Sequence, residues 1–277
     1  MNASILTPTL ALIRDTFREA FARRIFWGFF GCSSALLVFL LLVTKIDVRV
    51  GGLPSASDIG GAASPEAVYS VLQTQSIIAM VLYYAGTALA VFASAGLVSA
   101  MFEPGRIELL LSKPLSRTHL LLGRYLGNVL VVVANILYLI VGSWIIFGLK
   151  TGVWGAGFLL SSVFIILNFS VLLAVIVLVG VLWDSSAVAI MVTFALMIIT
   201  PILAQVASMD QVLGSETSRT IVRVLYQVLP KTSDLGSMVR STILHQPIES
   251  WMPVWTTALF GAVVLALGVR RFSQRTF

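Results

Sequence analysis

Six long stretches of this sequence contain no Asp, Glu, Lys or Arg, and that absence limits the fold more than any other feature. They cover residues 25–44, 77–100, 125–149, 157–182, 187–205 and 253–269. A bilayer core takes about 20 apolar residues in helical form, and a charged side chain at its centre costs about 3 kcal/mol. All 18 basic and 12 acidic side chains lie outside the six stretches. We therefore predict an all-α integral membrane protein with six transmembrane helices in one domain, residues 25–277.

The overall composition excludes a soluble protein. Hydrophobic residues make up 58% of the chain and charged residues only 11%, whereas soluble domains carry about 25% charged residues. The net charge of +6 does not indicate a nucleic-acid partner, because the basic residues lie beside the apolar stretches, where they anchor helices. Cys32 is the one cysteine, so it forms no internal disulfide, and no Cys/His spacing resembles a metal site.

The distribution of basic residues predicts the orientation in the membrane. With the N-terminus inside, the inner segments carry eleven Lys and Arg residues and the longer outer segments carry seven. An excess on the inside favours cytoplasmic N- and C-termini. The first apolar stretch exceeds the roughly 7–15 residues of a signal-peptide core, so it is predicted to remain as an anchor.

Residues 8–24 have the pattern of an amphipathic helix. Thr7 is suited to an N-cap and Pro8 to the first helical position. Apolar side chains then recur at helical spacing, with Asp15, Glu19 and basic residues on the opposite face. We predict a helix within residues 1–24 that lies on the inner membrane face, with these basic residues: Arg14, Arg18, Arg23 and Arg24.

The outer segment at 206–252 contains two apolar stripes that are too short to cross a bilayer. The first stripe ends at Pro230 and comprises Ile221, Val222, Val224, Leu225, Val228 and Leu229. The second comprises Met238, Val239, Ile243 and Leu244. We predict two helices lying in the outer leaflet, which keeps the charges of this segment at the headgroups: Arg219, Arg223, Lys231 and Arg240.

The inner segment at 101–124 has more pattern than a connecting loop needs. Pro104-Gly105 predicts a turn, Pro114 a second break, and Ser116 an N-cap for the helix that enters the third stretch. An apolar stripe lies between the two breaks: Ile107, Leu110 and Leu111. On physical grounds this segment either anchors a helical hairpin at the lipid surface or contacts another protein.

Polar and small residues inside the apolar stretches have two interpretations. Asn135, Asn168 and Gln205 either form interhelical hydrogen bonds, which is the commoner role, or line a substrate path. Small residues at four-residue spacing predict close helix approach: Gly86, Ala90 and Ser94, and Gly123 and Gly127. Asp184, in the short inner turn at 183–186, is predicted to cap the N-terminus of the fifth transmembrane helix.

The chain lacks the motifs of an enzyme. It contains no Gly-x-x-x-x-Gly-Lys-Ser/Thr for phosphate binding, no His-Glu-x-x-His and no Gly-x-Ser-x-Gly. The apolar stretches also contain no ionisable acid or base for proton transfer. Any ATP hydrolysis would therefore belong to a partner protein.

Residues 101–127 resemble the signature of ABC-2 type transporter permeases. They read Glu103-x-Gly105-x-x-Glu108-x-Leu110-Leu111-x-x-Pro114-x-Ser116-Arg117, followed by Leu-Gly-Arg-Tyr-Leu-Gly. The family pattern has Thr where this chain has Arg106 and Val where it has Leu115. The start at 8–24 resembles the family's elbow helix, Arg270-Arg271-Phe272 resembles its ending, and the outer segment is similar to its external gate helices. The six-span form is similar to a NosY-like subgroup.

The resemblance implies a type V exporter-like ABC-2 fold with three functional elements. The basic residues of 1–24 belong to the elbow helix. A coupling helix contacts the ATPase through Glu103, Gly105, Ile107, Glu108, Leu110, Leu111, Pro114, Ser116 and Arg117. The outer gate contains Leu225, Val228 and Leu229.

The resemblance further implies a permease subunit of an ATP-binding-cassette exporter in a bacterial or archaeal plasma (inner) membrane. Its partners would be the ATPase subunit, which binds ATP and Mg, and a second permease copy in a homodimer. It also allows further periplasmic or membrane subunits, and it implies no cofactor in this chain. The alternatives are a non-transporting anchor or mechanotransmitting subunit, and a membrane enzyme, which the lack of an acid–base pair disfavours.

Overall fold

A computed structural model describes residues 14–16, 18–19, 21–22, 24–43, 65–99, 116–208 and 216–275. The described part contains helices and no strand. Its α-helices are α1 Arg24–Val43, α2 Pro65–Val81, α3 Thr87–Ser99, α4 Arg117–Thr151, α5 Ala156–Trp183, α6 Ser186–Ser208, α7 Glu216–Val228, α8 Thr232–Ile243 and α9 Met252–Gln274. One π-helical turn, Leu82–Gly86, joins α2 to α3. Short helical pieces also occur between residues 14 and 22.

The helices confirm the predicted all-α membrane architecture. Within the described residues, five are long and apolar enough to cross a membrane, namely Val68–Gly96, Arg117–Thr151, Ala156–Trp183, Ser186–Val206 and Met252–Gln274. The first predicted stretch corresponds to α1, whose apolar part, Trp27–Leu42, is shorter. Wherever the structure describes them, the six uncharged stretches are therefore helical.

Two of the helices extend well beyond the stretches predicted for them. The second begins at Pro65 rather than near residue 77, so residues 65–76, which precede the second uncharged stretch, are also helical. Pro is favoured in the first turn because it has no N–H to leave unpaired. Helix α4 has 35 residues and is therefore about 52 Å long, against a bilayer core of about 30 Å.

Helix α5 is the centre of the bundle. It packs against α3, α4, α6, α8 and α9, and 72% of its most apolar window is buried, compared with 17% for α6. A helix that is apolar on every side is suited to a packed core or to a membrane, and α5 is mostly covered by other helices rather than by lipid. Its fully buried side chains include Phe158, Phe169 and Leu172.

Helices α7 and α8 form a hairpin that enters one end of the bundle, which we call the hairpin end. The last turn of α8 lies at the first turn of α5, where Gly157 meets the backbone of Thr242. The first residue of α8, Thr232, is bonded to Thr200 of α6, which lies about 12 Å before the end of that helix. The tip of the hairpin is therefore deeper than its open end.

This geometry corrects part of the prediction for the outer segment. Two short helices are present, as expected, but they do not keep every charge at the surface. Lys231 lies at the hairpin tip with only 7% of its surface exposed. The long α2, α6 and α9 helices surround the tip, and their polar groups compensate for the cost of burying its backbone there.

The contact between α5 and α8 predicts a strong effect of one added methyl group. A Cβ at Gly157 would lie 2.3 Å from the Thr242 carbonyl oxygen, so Gly157→Ala forces two helix backbones apart. We expect a loss of about 1–3 kcal/mol of stability, seen as a lower melting temperature in detergent. Gly31→Ala on α1 is the control, because no atom lies within 4 Å of that position. Equal melting of the two variants would contradict the contact.

Candidate coupling and gating sites

The predicted coupling segment reaches the described part of the chain only at its last residues. Ser116 and Arg117 are described, whereas these seven lie outside the described residues: Glu103, Gly105, Ile107, Glu108, Leu110, Leu111 and Pro114. Ser116 has extended φ and ψ of −68° and 145°, and its hydroxyl accepts a hydrogen bond from the backbone N–H of His119. The predicted N-cap of α4 is therefore confirmed.

The first turn of α4 is tied to the end of the chain and to the turn between α5 and α6. The Arg117 guanidinium donates to the carbonyl oxygen of Arg275. The Arg275 guanidinium donates to Asp184 Oδ1 at 2.6 Å and to the Val181 carbonyl oxygen at 2.9 Å. We call Arg117, Asp184 and Arg275 the inner node. The hydrogen bond to Asp184 is the main cause that raises the pKa of Arg275.

The inner node shows that the predicted role of Asp184 is wrong. Asp184 does not cap α6; it ends α5 in a left-handed conformation, with φ of 52° and its N–H bonded to the Gly180 carbonyl oxygen. That conformation reverses the chain and leaves the carboxylate available to Arg275. Ser185 supplies the cap of α6 instead, since its hydroxyl accepts from the Val188 N–H at 3.4 Å.

The N-terminal residues are seated directly on α4. Arg124 donates to Glu19 Oε2 at 2.5 Å and lies 3.7 Å from Asp15 Oδ2. Thr16 is buried against Gly127, where a Cβ would lie 2.7 Å from the Thr16 side chain. The small residue at 127 thus permits a close approach, as predicted, although its partner is the N-terminal segment rather than another transmembrane helix.

The elbow arginines are placed only in part. Arg14 and Arg18 are exposed, and nothing is described for the side chains of Arg23 and Arg24. Asp15 and Glu19 were expected on the same water-facing side as the arginines. Asp15 is exposed, whereas Glu19 is half-buried and paired with Arg124. The elbow, the end of the coupling segment and the chain end therefore all attach to the first turns of α4.

We expect the ion pair between Arg124 and Glu19 to hold the N-terminal segment on α4. Only 12% and 13% of the two side chains is exposed, so Arg124→Glu should cost about 3 kcal/mol by leaving like charges together. Adding Glu19→Arg should restore most of the detergent melting temperature, because the pair is then rebuilt with opposite polarity. Arg18→Glu is the control on an exposed side chain. A swap that recovers nothing would show that the contact has no energetic role.

The apolar stripe of α7 faces away from the bundle. Ile221, Leu225 and Val228 are 55%, 45% and 61% exposed, and Leu229 is half-buried. The opposite side of the stripe carries Arg219 and Arg223. A helix with one exposed apolar face and one basic face is suited to the boundary between acyl chains and headgroups.

The tip of the hairpin is held by hydrogen bonds from three transmembrane helices. We call this set of bonded residues the hairpin node: Tyr83, Thr200, Lys231, Thr232 and Thr257. Tyr83 of the π turn donates to the Thr232 carbonyl oxygen at 2.5 Å. The hydroxyls of Thr232 and Thr200 lie 2.6 Å apart, and the Lys231 N–H donates to Thr257 Oγ1 at 3.0 Å. The sequence predicted the hairpin helices but not this node, since no spacing rule links residues so distant in the chain.

The Lys231 ammonium is stabilised from within the hairpin. It lies 4.7 Å from the centre of the Tyr226 ring, a distance at which the ring face attracts a cation. The Tyr226 hydroxyl donates to Asp234. Burial and this bond raise the pKa of Tyr226 above its ordinary value of 10. Lys231, Tyr226 and Asp234 thus connect the last turns of α7 to the first turn of α8.

Two irregular points in the surrounding helices lie at the hairpin node. Tyr83 belongs to the π turn, and such turns are common at functional sites. Thr200 directly precedes Pro201, which lies inside α6, and a proline removes one backbone hydrogen bond and favours a bend. Movement of either helix would therefore act directly on Thr232.

The polar residues inside the transmembrane helices have mixed outcomes. Asn135 confirms the interhelical role, because its Oδ1 accepts from Ser33 at 2.9 Å. Asn168 is buried, but its Oδ1 has no hydrogen-bond partner in the described part, and Gln205 is exposed. Sequence reasoning missed Gln75, which is fully buried with both amide atoms unpaired among the described residues. A polar residue in an apolar helix was the available signal.

No group of His, Cys, Asp or Glu in the described residues could hold a metal ion. The described contacts attach the N-terminal segment and the chain end to α4 at one end of the bundle, and they fix the tip of the hairpin at the other.

A comparison with protein families finds that the family model described as ABC-2 family transporter protein matches residues 10–276. No curated protein matches the chain.

Proposed function

Because the chain belongs to the ABC-2 family of transporter proteins, we propose that it is the permease subunit of an exporter driven by a separate ATP-binding-cassette ATPase. The family is a membrane transport component that associates with an ATP-binding subunit. Export, coupling through residues 103–117 and assembly as a homodimer go beyond that family membership and are part of the proposal. ATP and Mg would be bound by the partner.

One observation carries the coupling mechanism: α4 connects the proposed docking segment to the rest of the bundle. Its first turns hold the inner node and the Arg124–Glu19 pair. It then packs along α5, and α5 packs against α8 of the hairpin. Because packed helices shift as units rather than deform, a push on α4 would reach the hairpin through α5.

In this mechanism the inner node faces the cytoplasm and the hairpin end faces outward. ATP binding by the partner would move the segment before Ser116. The hairpin node would then release or retain Thr232, and the exposed stripe of α7 would control the exit. A plasma membrane location in a bacterium or archaeon, with both termini inside, belongs to the same proposal.

Cysteine labelling tests the orientation. In a Cys32→Ser background, an impermeant maleimide should reach cysteines at Ser57 and Ser215 in intact cells. It should reach cysteines at Ser112 and Ser273 only after the membrane is opened. Labelling at Ser112 in intact cells would reverse the topology and remove the coupling proposal with it.

A transport assay separates the exporter from the second candidate, a non-transporting anchor or mechanotransmitting subunit. The permease and its copurified ATPase would be reconstituted in vesicles and supplied with ATP and cell extract. ATP-dependent accumulation of a compound inside inverted vesicles supports export. ATP hydrolysis without movement of any compound favours the anchor, which would use the same docking segment.

A further inference from the structure

A groove with a volume of about 520 Å³ runs along α2 and the π turn, beside α8. Its polar lining includes Gln73, Ser76 and Arg240, and its apolar lining includes Ile77, Val81 and Tyr84. Ile77 and Val81 are 61% and 51% exposed. None of the roles assigned to the coupling segment or the gate uses this groove.

The lining changes from polar to apolar with depth. Gln73 and Ser76 lie nearest the start of α2, and Arg240 lies one turn before the end of α8. Both of those helix ends are at the hairpin end of the bundle. From Gln73 to Ala85 the groove spans about 18 Å along the helix axis, which is close to the depth of one leaflet of the bilayer core.

The charge at the polar end favours an anion. Arg240 is exposed, and among the described residues no carboxylate lies within ion-pair distance of its guanidinium. Asp234, the acidic residue of α8, is bonded to Tyr226. It lines a separate cavity with Glu249, so the two acidic groups do not neutralise the groove.

We propose that the groove binds one anionic phospholipid. The phosphate would pair with the Arg240 guanidinium, the exposed Gln73 side chain would hydrogen-bond the headgroup region, and an acyl chain would lie over Ile77, Val81 and Tyr84. Arginine presents several donors to a phosphate, and the exposed apolar side chains give the acyl chain a surface below it.

The lipid would contact Tyr84, which lies directly against Tyr83 of the hairpin node. Tyr84 packs over Gly236 of α8, where a Cβ would lie 3.0 Å from its hydroxyl oxygen. Tyr83, the adjacent residue, holds the Thr232 carbonyl oxygen. The two rings meet edge-on, with centroids 5.0 Å apart. Occupancy of the groove is thus connected to the residue that pins the hairpin tip, whether or not the chain exports a substrate.

Native mass spectrometry of protein taken from vesicles of equal phosphatidylglycerol and phosphatidylcholine tests the proposal. The parent protein should retain phosphatidylglycerol over phosphatidylcholine by about fivefold, the factor expected for one arginine near an anionic lipid. Arg240→Gln should reduce that ratio to about one, whereas Arg223→Gln, an exposed arginine of α7 outside the groove, should leave it unchanged. Equal retention by the parent, or equal effects of the two variants, would overturn the proposal.

A second pair of variants tests the acyl-chain portion. Ile77→Trp should reduce the retained lipid because the indole fills the groove. Ile198→Trp is the matched control, since Ile198 on α6 is 60% exposed, close to the 61% of Ile77. With Val81→Cys in a Cys32→Ser background, a short bifunctional maleimide should give no dimer. Efficient cross-linking there, or equal lipid retention by the two Trp variants, would show that a second copy rather than lipid covers this face.

Discussion

Replacing Glu108 with Lys is expected to release the permease from its ATPase while leaving it inserted in the membrane. Glu108 lies in the family-like segment between the breaks at Pro104 and Pro114, and it carries a charge that a lipid-anchoring loop does not need. Reversing a charge inside a docking surface replaces attraction by repulsion and weakens association by about tenfold or more. The measurement is the amount of ATPase copurified per permease, together with ATP turnover of the complex.

Glu249→Lys provides the matched control, because it makes the same charge change on an exposed residue at the hairpin end. It should retain the ATPase at the parent level. If Glu108→Lys also retains the ATPase and its turnover, the docking assignment for Glu103, Gly105, Glu108 and Pro114 is wrong.

The double substitution Leu225→Asp with Val228→Asp is expected to preserve ATPase assembly and to change transport or basal ATP turnover severalfold. Both side chains belong to the exposed stripe of α7, at 45% and 61% exposure. Two carboxylates on that stripe cannot remain against acyl chains without a large desolvation cost, so α7 should move toward water. Since α7 continues into the hairpin tip, its displacement acts on Lys231 and Thr232.

The control for this variant compares neighbours on the same helix. Val228→Asp should reproduce much of the change, whereas Gln227→Asp adds the same charge one residue away on the polar side and should have little effect. A double variant that assembles, transports and hydrolyses ATP like the parent would mean that α7 is a cap and not a gate.

The transmembrane helices could be predicted because the membrane leaves few alternatives. Backbone groups in hydrocarbon must bond within a helix, so a long uncharged stretch is sufficient evidence for one. The cap at Ser116 was also predictable, since a hydroxyl before a helix start bonds its own first turn. An interhelical hydrogen bond of Asn135 was predictable because a polar side chain in an apolar helix needs a partner, although the sequence did not identify Ser33 as that partner.

The hairpin depth and the inner node could not be predicted because they depend on contacts between distant residues. The charge of Lys231 favoured a surface position, but the Tyr226 ring lies 4.7 Å from the ammonium, and Thr257 accepts a hydrogen bond from the backbone N–H of Lys231. Asp184 is a residue type that often caps helices, but here its carboxylate binds the Arg275 guanidinium instead. The π turn at Leu82–Gly86 has no composition that distinguishes it from the helix around it.

Copurification from native membranes tests the central claim most directly. Tagged permease would be extracted in mild detergent, and every stoichiometric companion would be identified by mass spectrometry and assayed for ATP hydrolysis. If the chain is an exporter permease, an ATP-binding-cassette ATPase accompanies it, and the amount of that ATPase falls in Glu108→Lys but not in Glu249→Lys. Recovery of the permease with no ATPase, from membranes in which it is stable and correctly inserted, would contradict the assignment.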